Sequence, residues 1–293
     1  MSSVGVENNV VSPVGDIKKL DSKMDFKIIY LLTDFSDHAR NAANYAIDAF
    51  GEDVQYVLIN SYIVRTSAAT LIDIEDIAHQ ESLVQLKEEE KVLKAKFPNL
   101  KLETISKYGT PVDVINLYLE DLPADLIVVG SKGISKLDEI LIGSVTTSIM
   151  RGVHRPVLAV PLKAKYEKMD RIVLASDLVN ANKPQVLGMM KSLKNTFGSH
   201  VSGATVKMDN KELSSEEEQL LSKLESIESL DEISVIRDSN ISKGLMDYCD
   251  QSRADMLVVV AKHTSFFKRF FHKSITKELV NHEVLPILVL EDN

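Results

Sequence analysis

The chain has 293 residues, 44% hydrophobic and 26% charged, with a net charge of −9. That composition is ordinary for a globular protein and leaves room for two units of about 140 residues, while an acidic balance without a basic stripe excludes a nucleic-acid backbone as the main partner. One cysteine, Cys249, rules out an intramolecular disulfide. No apolar run approaches the roughly 18 residues of a membrane span, and no charged-then-apolar signal opens the chain, so a cytoplasmic protein is expected.

Residues 1–25 are polar, rich in Ser, Asn, Gly and Pro, and are expected to form a flexible leader. Strands are predicted near 27–33, 54–60, 101–106, 126–129 and 156–160, with helices near 37–49, 75–96, 111–120 and 142–151 between them. Ser36 or Asp37 is placed to cap the first helix, and Thr110 followed by Pro111 suits an N-cap and first helical position. Residues 162–169 carry three lysines and read as a linker. Strands follow again near 171–175, 201–206, 232–236, 256–260 and 287–290. Alternating strands and helices imply parallel sheets with right-handed crossovers.

Two stretches of the chain repeat. Ala124–Val129 matches Ala254–Val259, Ser144–Thr146 matches Ser274–Thr276, and Pro156–Leu158 matches Pro286–Leu288, all at an offset of 130. Ile29–Asp34 resembles Ile172–Asp177 at an offset of 143, so the second copy is about 13 residues shorter. Three collinear matches favour duplication over chance. The expected units are 26–161 and 170–293.

The densest local signal is Gly130-Ser-Lys-Gly133, directly after the apolar run Leu126–Val129 and followed after nine intervening residues by Gly143-Ser144. A buried strand, a glycine turn and a helix start together form an anion site, because unpaired backbone N–H groups and the helix dipole point the same way. Ser144 adds a hydroxyl and Lys132 a charge. A glycine-bearing strand-to-helix loop also serves as a plain turn, and the full spacing is what separates the two readings. It is neither a Walker loop nor the Gly-x-Gly-x-x-Gly fingerprint.

A five-stranded α/β unit, an Asp closing the first strand, and Gly-x2-Gly-x9-Gly-Ser after the fourth strand together resemble the universal stress protein family, over roughly 26–161 and 170–291. The resemblance implies two repeated, doubly wound, parallel five-stranded sheets of the adenine nucleotide alpha hydrolase-like α/β class, related by a pseudo-two-fold axis. It implies ATP as ligand, with or without Mg, and a stress-response role. Phosphate contacts would come from Gly130, Gly133, Gly143 and Ser144, with Val145 and Thr146 close by. Thr33 and Asp34 would line the adenosine pocket, and backbone near Ser61, after the second strand, would meet the adenine. Family members also join two domains through the last strand, which implies an intramolecular pairing of the two copies here. Further assembly as a homodimer stays open.

Other readings stand beside these. An Asp between strand and helix often only shapes the turn, and Asp34 carries that alternative. In the second copy Gly130, Gly133 and Gly143 become Val260, His263 and Lys273, so its loop reads as degenerate, or as an anion site rebuilt from side chains. The run Phe266–Phe271 suits packing against a partner or stacking on a base. The seven histidines show no metal spacing, and no nucleophile elbow appears. Three functions remain on these grounds: a nucleotide-binding regulator with a structural or regulatory second domain, a slow ATPase or self-phosphorylating enzyme using Ser144 or Thr146, and a scaffold without nucleotide. The lack of a general base favours the first over the second.

Overall fold

The computed structural model describes residues 26–64, 74–132, 143–207, 212–261 and 285–291. The leader, Gly133, His263, the run Phe266–Phe271, and Lys273, Ser274 and Thr276 lie outside the described residues.

The first half alternates β1 (Ile28–Leu32), α1 (Asp37–Phe50), β2 (Gln55–Tyr62), α2 (Ile74–Lys96), β3 (Lys101–Tyr108), α3 (Pro111–Asp121), β4 (Leu126–Gly130), α4 (Ser144–Gly152) and β5 (Val157–Val160). The second half runs β6 (Arg171–Ala175), α5 (Leu178–Ala181), α6 (Pro184–Phe197), β7 (His200–Lys207), α7 (Ser215–Glu225), β8 (Glu232–Arg237), α8 (Ile241–Ser252), β9 (Met256–Ala261) and β10 (Ile287–Glu291). The expected elements are present with small shifts in their ends. The fourth helix begins at Ser144 rather than Ile142. Strand β2 continues through Ser61, which therefore lies inside the strand rather than after it, paired with Lys107 of β3. The second half also departs from simple repetition: Pro184 opens α6, so the single first helix of one half becomes two in the other. Proline supplies no N–H and suits a first helical turn, not an interior.

The strands form one sheet of order β3-β2-β1-β4-β5-β10-β9-β6-β7-β8. Neighbours within each half are parallel, as βαβ crossovers require. The halves meet antiparallel, with Leu288 opposite Leu158 and Ile287 opposite Ala159. In each half the strand order reverses beside the first strand, at β1/β4 and at β6/β9. Such switch points open a crevice beyond the carboxyl ends of the strands.

Continuous apolar runs make this possible. All five residues of β4 and all four of β5 are buried, as expected of strands covered on both faces. One core layer carries Phe50, Leu58, Leu158, Leu288 and Leu193, and the opposite layer Ile127, Ile149, Val157, Leu245 and Val259, so each layer is continuous across both halves. Residue Tyr166 of the connection sits edge-on to Tyr45 and near Phe197, while Asn41 of α1 donates to the carbonyls of Pro161 and Ala164. The connection is thus held to α1 by both packing and hydrogen bonds. Among the described residues no helix is long and apolar enough to cross a membrane.

Candidate functional site

The crevice beyond β1 and β4 holds a cavity of about 360 Å³, within the range of small-molecule pockets. Its lining includes Thr33, Asp34, Ser61, Gly130, Lys132, Gly143, Ser144, Val145 and Thr146. Nine of the ten residues singled out from sequence thus meet around one space, and the tenth, Gly133, lies outside the described residues. Pattern reading did not name the apolar wall of Leu32, Ala39, Ile59, Pro111, Val129 and Ile149. Pro111 starts α3, as its place after Thr110 predicts, and the crossover geometry brings that start to the cavity.

The turn after β1 is built from its own side chains. Thr33 Oγ1 accepts from the Phe35 N–H at 2.9 Å, and Asp34 Oδ1 accepts from the Ser36 N–H at 3.1 Å. Phe35 takes φ of 63°, a left-handed conformation that a bulky residue adopts only under constraint. Ser36 then caps α1 by accepting from the Ala39 N–H. Asp34 therefore does shape the turn, and its exposed carboxylate also borders the cavity, so the two readings coexist.

The two described loop glycines, Gly130 and Gly143, sit in different settings. Gly143 is the N-cap of α4 at φ −66°, and neither it nor Gly130 has positive φ. A Cβ on Gly130 would stand 2.9 Å from the His38 carbonyl carbon. The missing side chain at Gly130 admits the start of α1 against β4.

At α4 the cap has no side-chain hydrogen bond, leaving the first-turn N–H groups without a side-chain acceptor among the described residues beside the cavity. The Gly143 N–H itself donates to the Ser131 carbonyl at 2.7 Å. Thr146 is buried, and its Oγ1 donates to the Gly130 carbonyl at 2.9 Å, which ties the helix start to the end of β4. Ser144 and Val145 are exposed at the rim. Lys132 brings a cation to the same edge. Burial holds His38 below the ordinary histidine value, the Lys132 charge lowers it further, and Asp34 and Asp37 pull the other way. Its Nδ1 is buried without a hydrogen-bond partner.

In the second half the position of Gly130 carries Val260, buried in one layer with Leu178 and Ala181. Asp177, the counterpart of Asp34, is itself the N-cap of α5, accepting from the Asn180 N–H at 2.8 Å. A valine there fills space next to a first helix that has been shortened to one turn.

Among the described residues no cluster of three or more His, Cys, Asp or Glu side chains is arranged to hold a metal. Among the described residues lining the cavity, Asp34 is the one carboxylate.

Comparison with known proteins adds the lineage. The universal stress protein family model matches residues 25–161. A universal stress protein of Methanocaldococcus jannaschii is 30% identical over 141 residues, covering 46% of this chain and 82% of the relative. One from Mycobacterium tuberculosis is 28% identical over 144 residues, covering 46% of this chain and 96% of the relative. The solved structure of a universal stress protein from Archaeoglobus fulgidus overlays 91% of this chain and 96% of its own at a TM-score of 0.63 and 18% identity, a likeness of fold. With its α/β sheets, its strand-closing Asp and a relative matched over most of its length, the chain belongs to the universal stress protein family.

Proposed function

We propose that this chain is a nucleotide-binding regulatory protein of the stress response, holding ATP in the cavity of a domain spanning 26–161. A second domain, 170–293, has a degenerate loop and a structural or regulatory role, and the two are joined through their last strands. The observation that carries the reading is the start of α4: a helix N-terminus without a side-chain cap, beside Lys132, opening on a cavity with one apolar wall. Phosphates suit the helix end, where unpaired N–H groups and dipole converge. A base suits the wall of Ile59, Pro111 and Val129.

The residues fit a nucleotide better than a protein-caged metal. The described residues supply one carboxylate, Asp34, which does not make a Mg²⁺ cage, and a Mg²⁺ ion held by them would ride on phosphate oxygens and water. Bound ATP would supply the charge that the helix end and Lys132 neutralise. Thr33 and Ser61 would border the nucleoside, and Gly143 to Thr146 the phosphates. Enzymatic use is the weaker reading, since the Thr146 hydroxyl is already donated to a carbonyl and Asp34 accepts from a backbone N–H.

Mass spectrometry of the denatured protein, for released nucleotide, together with calorimetric titration of ATP, tests this. The expected result is binding at about one nucleotide per chain, since the second copy carries Val260, His263 and Lys273 in place of Gly130, Gly133 and Gly143. A stoichiometry near two overturns the degenerate-loop assignment. No binding overturns the nucleotide reading.

A further inference from the structure

A line of polar side chains, half-buried at His79 and Ser106 and buried at Ser82 and Asn60, runs from α2 across β3 and β2 to the cavity. Ser106 Oγ lies 3.2 Å from His79 Nδ1 and donates to Ser82 Oγ at 2.7 Å. Ser82 Oγ donates to Asn60 Oδ1 at 2.7 Å, and Asn60 Nδ2 donates to the Thr33 carbonyl at 2.8 Å. Ser82 and Asn60 are 4% and 6% exposed, too buried for water to replace a lost partner at no cost.

The proton positions follow from counting. A carbonyl can only accept, so the Asn60 amide nitrogen faces Thr33 and its oxygen faces Ser82. The one proton of Ser82 then goes to Asn60, and the one proton of Ser106 goes to Ser82. Ser106 has no proton left for His79, so His79 Nδ1 must carry one and donate. All the donors point the same way, from α2 toward the cavity, the arrangement in which each bond polarises the next.

We infer that Asn60 is a positioning residue for the cavity, held by a one-way hydrogen-bond chain that starts at His79 in its Nδ1–H form. Thr33 lines the cavity and accepts the N–H of Phe35 through its hydroxyl, so a fixed Thr33 carbonyl fixes the constrained turn that presents Asp34. The chain makes α2, which lines no part of the cavity, a determinant of its shape. The ligand arm of the test rests on the nucleotide reading; the tautomer arm does not.

The experiment uses the full chain, labelled with ¹⁵N-histidine, and the variants Ser82→Ala and Ser82→Thr, with His79→Gln to assign the His79 signals. At a pH of about 8, where imidazole is neutral, His79 is expected as the Nδ1–H tautomer in wild type. In Ser82→Ala the Ser106 proton loses its acceptor and turns to His79, which changes to the Nε2–H tautomer. ATP affinity falls about three- to tenfold in Ser82→Ala, the size of one lost buried hydrogen bond, and Ser82→Thr restores both affinity and tautomer. An Nε2–H tautomer in wild type overturns the chain, and an unchanged ATP affinity in Ser82→Ala overturns the positioning role. If wild type binds no ATP, hydrogen exchange at the Phe35 and Ser36 amides decides: faster exchange in Ser82→Ala supports the positioning role, and unchanged exchange overturns it.

Discussion

Gly130 and His38 are in backbone contact: the Cβ that Gly130 lacks would lie 2.9 Å from the His38 carbonyl carbon and 3.0 Å from its oxygen. The obstacle is main chain, which cannot rotate away. Gly130→Ala is therefore expected to destabilise the protein by about 1–3 kcal/mol, the usual cost of overpacking, whether or not ligand is present. Denaturant unfolding without nucleotide measures this. A loss confined to ligand affinity would return Gly130 to the phosphate role.

Gly143 contrasts with it. At φ −66° and ψ 161° it has a conformation open to any residue, so Gly143→Lys, which imports Lys273 of the second copy, should fold. Its side chain would stand at the α4 cap and occupy the anion site, weakening ATP by about tenfold, or ~1.4 kcal/mol, with the added cation recovering a little. Gly133→His, the matching exchange from the same alignment, is expected to weaken ATP likewise. Calorimetry on both variants decides, and unchanged affinity in both would place the phosphates elsewhere.

These two glycines show what was legible in the sequence and what was not. The run Leu126–Val129, the cap at Ser36 and the pair Thr110–Pro111 are local signals, governed by burial period and by unpaired N–H groups, and they placed β4, α1 and α3 within a residue or two. The partner of Gly130 was not legible, because His38 reaches it through the fold rather than along the chain. The same holds for Pro111 on the cavity wall and for the line from His79 to Asn60. The repeated Ala-Asp of Ala124–Val129 was read only as a match. Its Asp125 carboxylate accepts the N–H groups of Lys27 and Ile28, and Asp255 does the same for Asp170 and Arg171. The split of α5 from α6 did have a signal, Pro184, which reading by homology to the first copy passed over.

Leu158 and Leu288 face each other across the junction of the halves, 0% and 1% exposed. Replacing either by Asp puts a charge where neither water nor a cation reaches, at a cost of at least about 3 kcal/mol. Each single variant should lower the melting temperature sharply, and the double variant Leu158→Asp/Leu288→Asp should separate the halves. Scattering measurements showing an unchanged compact particle in the double variant would refute the junction.

The depressed His38 pKa gives stability a pH dependence of defined sign. The native state resists the proton and the unfolded chain takes it at the ordinary value of about 6.5, so between those two values the unfolded chain binds more protons. Stability from this group is complete above the unfolded value and is lost as pH falls through the native one. Unfolding followed between about pH 7 and pH 5 should show this decline in wild type and less of it in His38→Gln. An equal decline in both would assign it to other groups.

Cys249 is 2% exposed, and burial, with Asp250 adding, pushes its thiol up to about 12. The thiolate is the reactive form, so an aromatic disulfide reagent at neutral pH should label the folded protein slowly and the unfolded chain at once. As the one cysteine in the chain, it gives a single clean signal for opening of α8. Rapid labelling of the native protein would contradict the burial.

Because β5 and β10 run in opposite directions, the two halves point their carboxyl rims to opposite margins of the shared sheet. The cavity beyond β1 and β4 and the corresponding rim beyond β6 and β9 therefore open on different margins. The molecule thus has two distinct ends, one bearing the cavity and one bearing Val260, with the central strands fixing the distance between them.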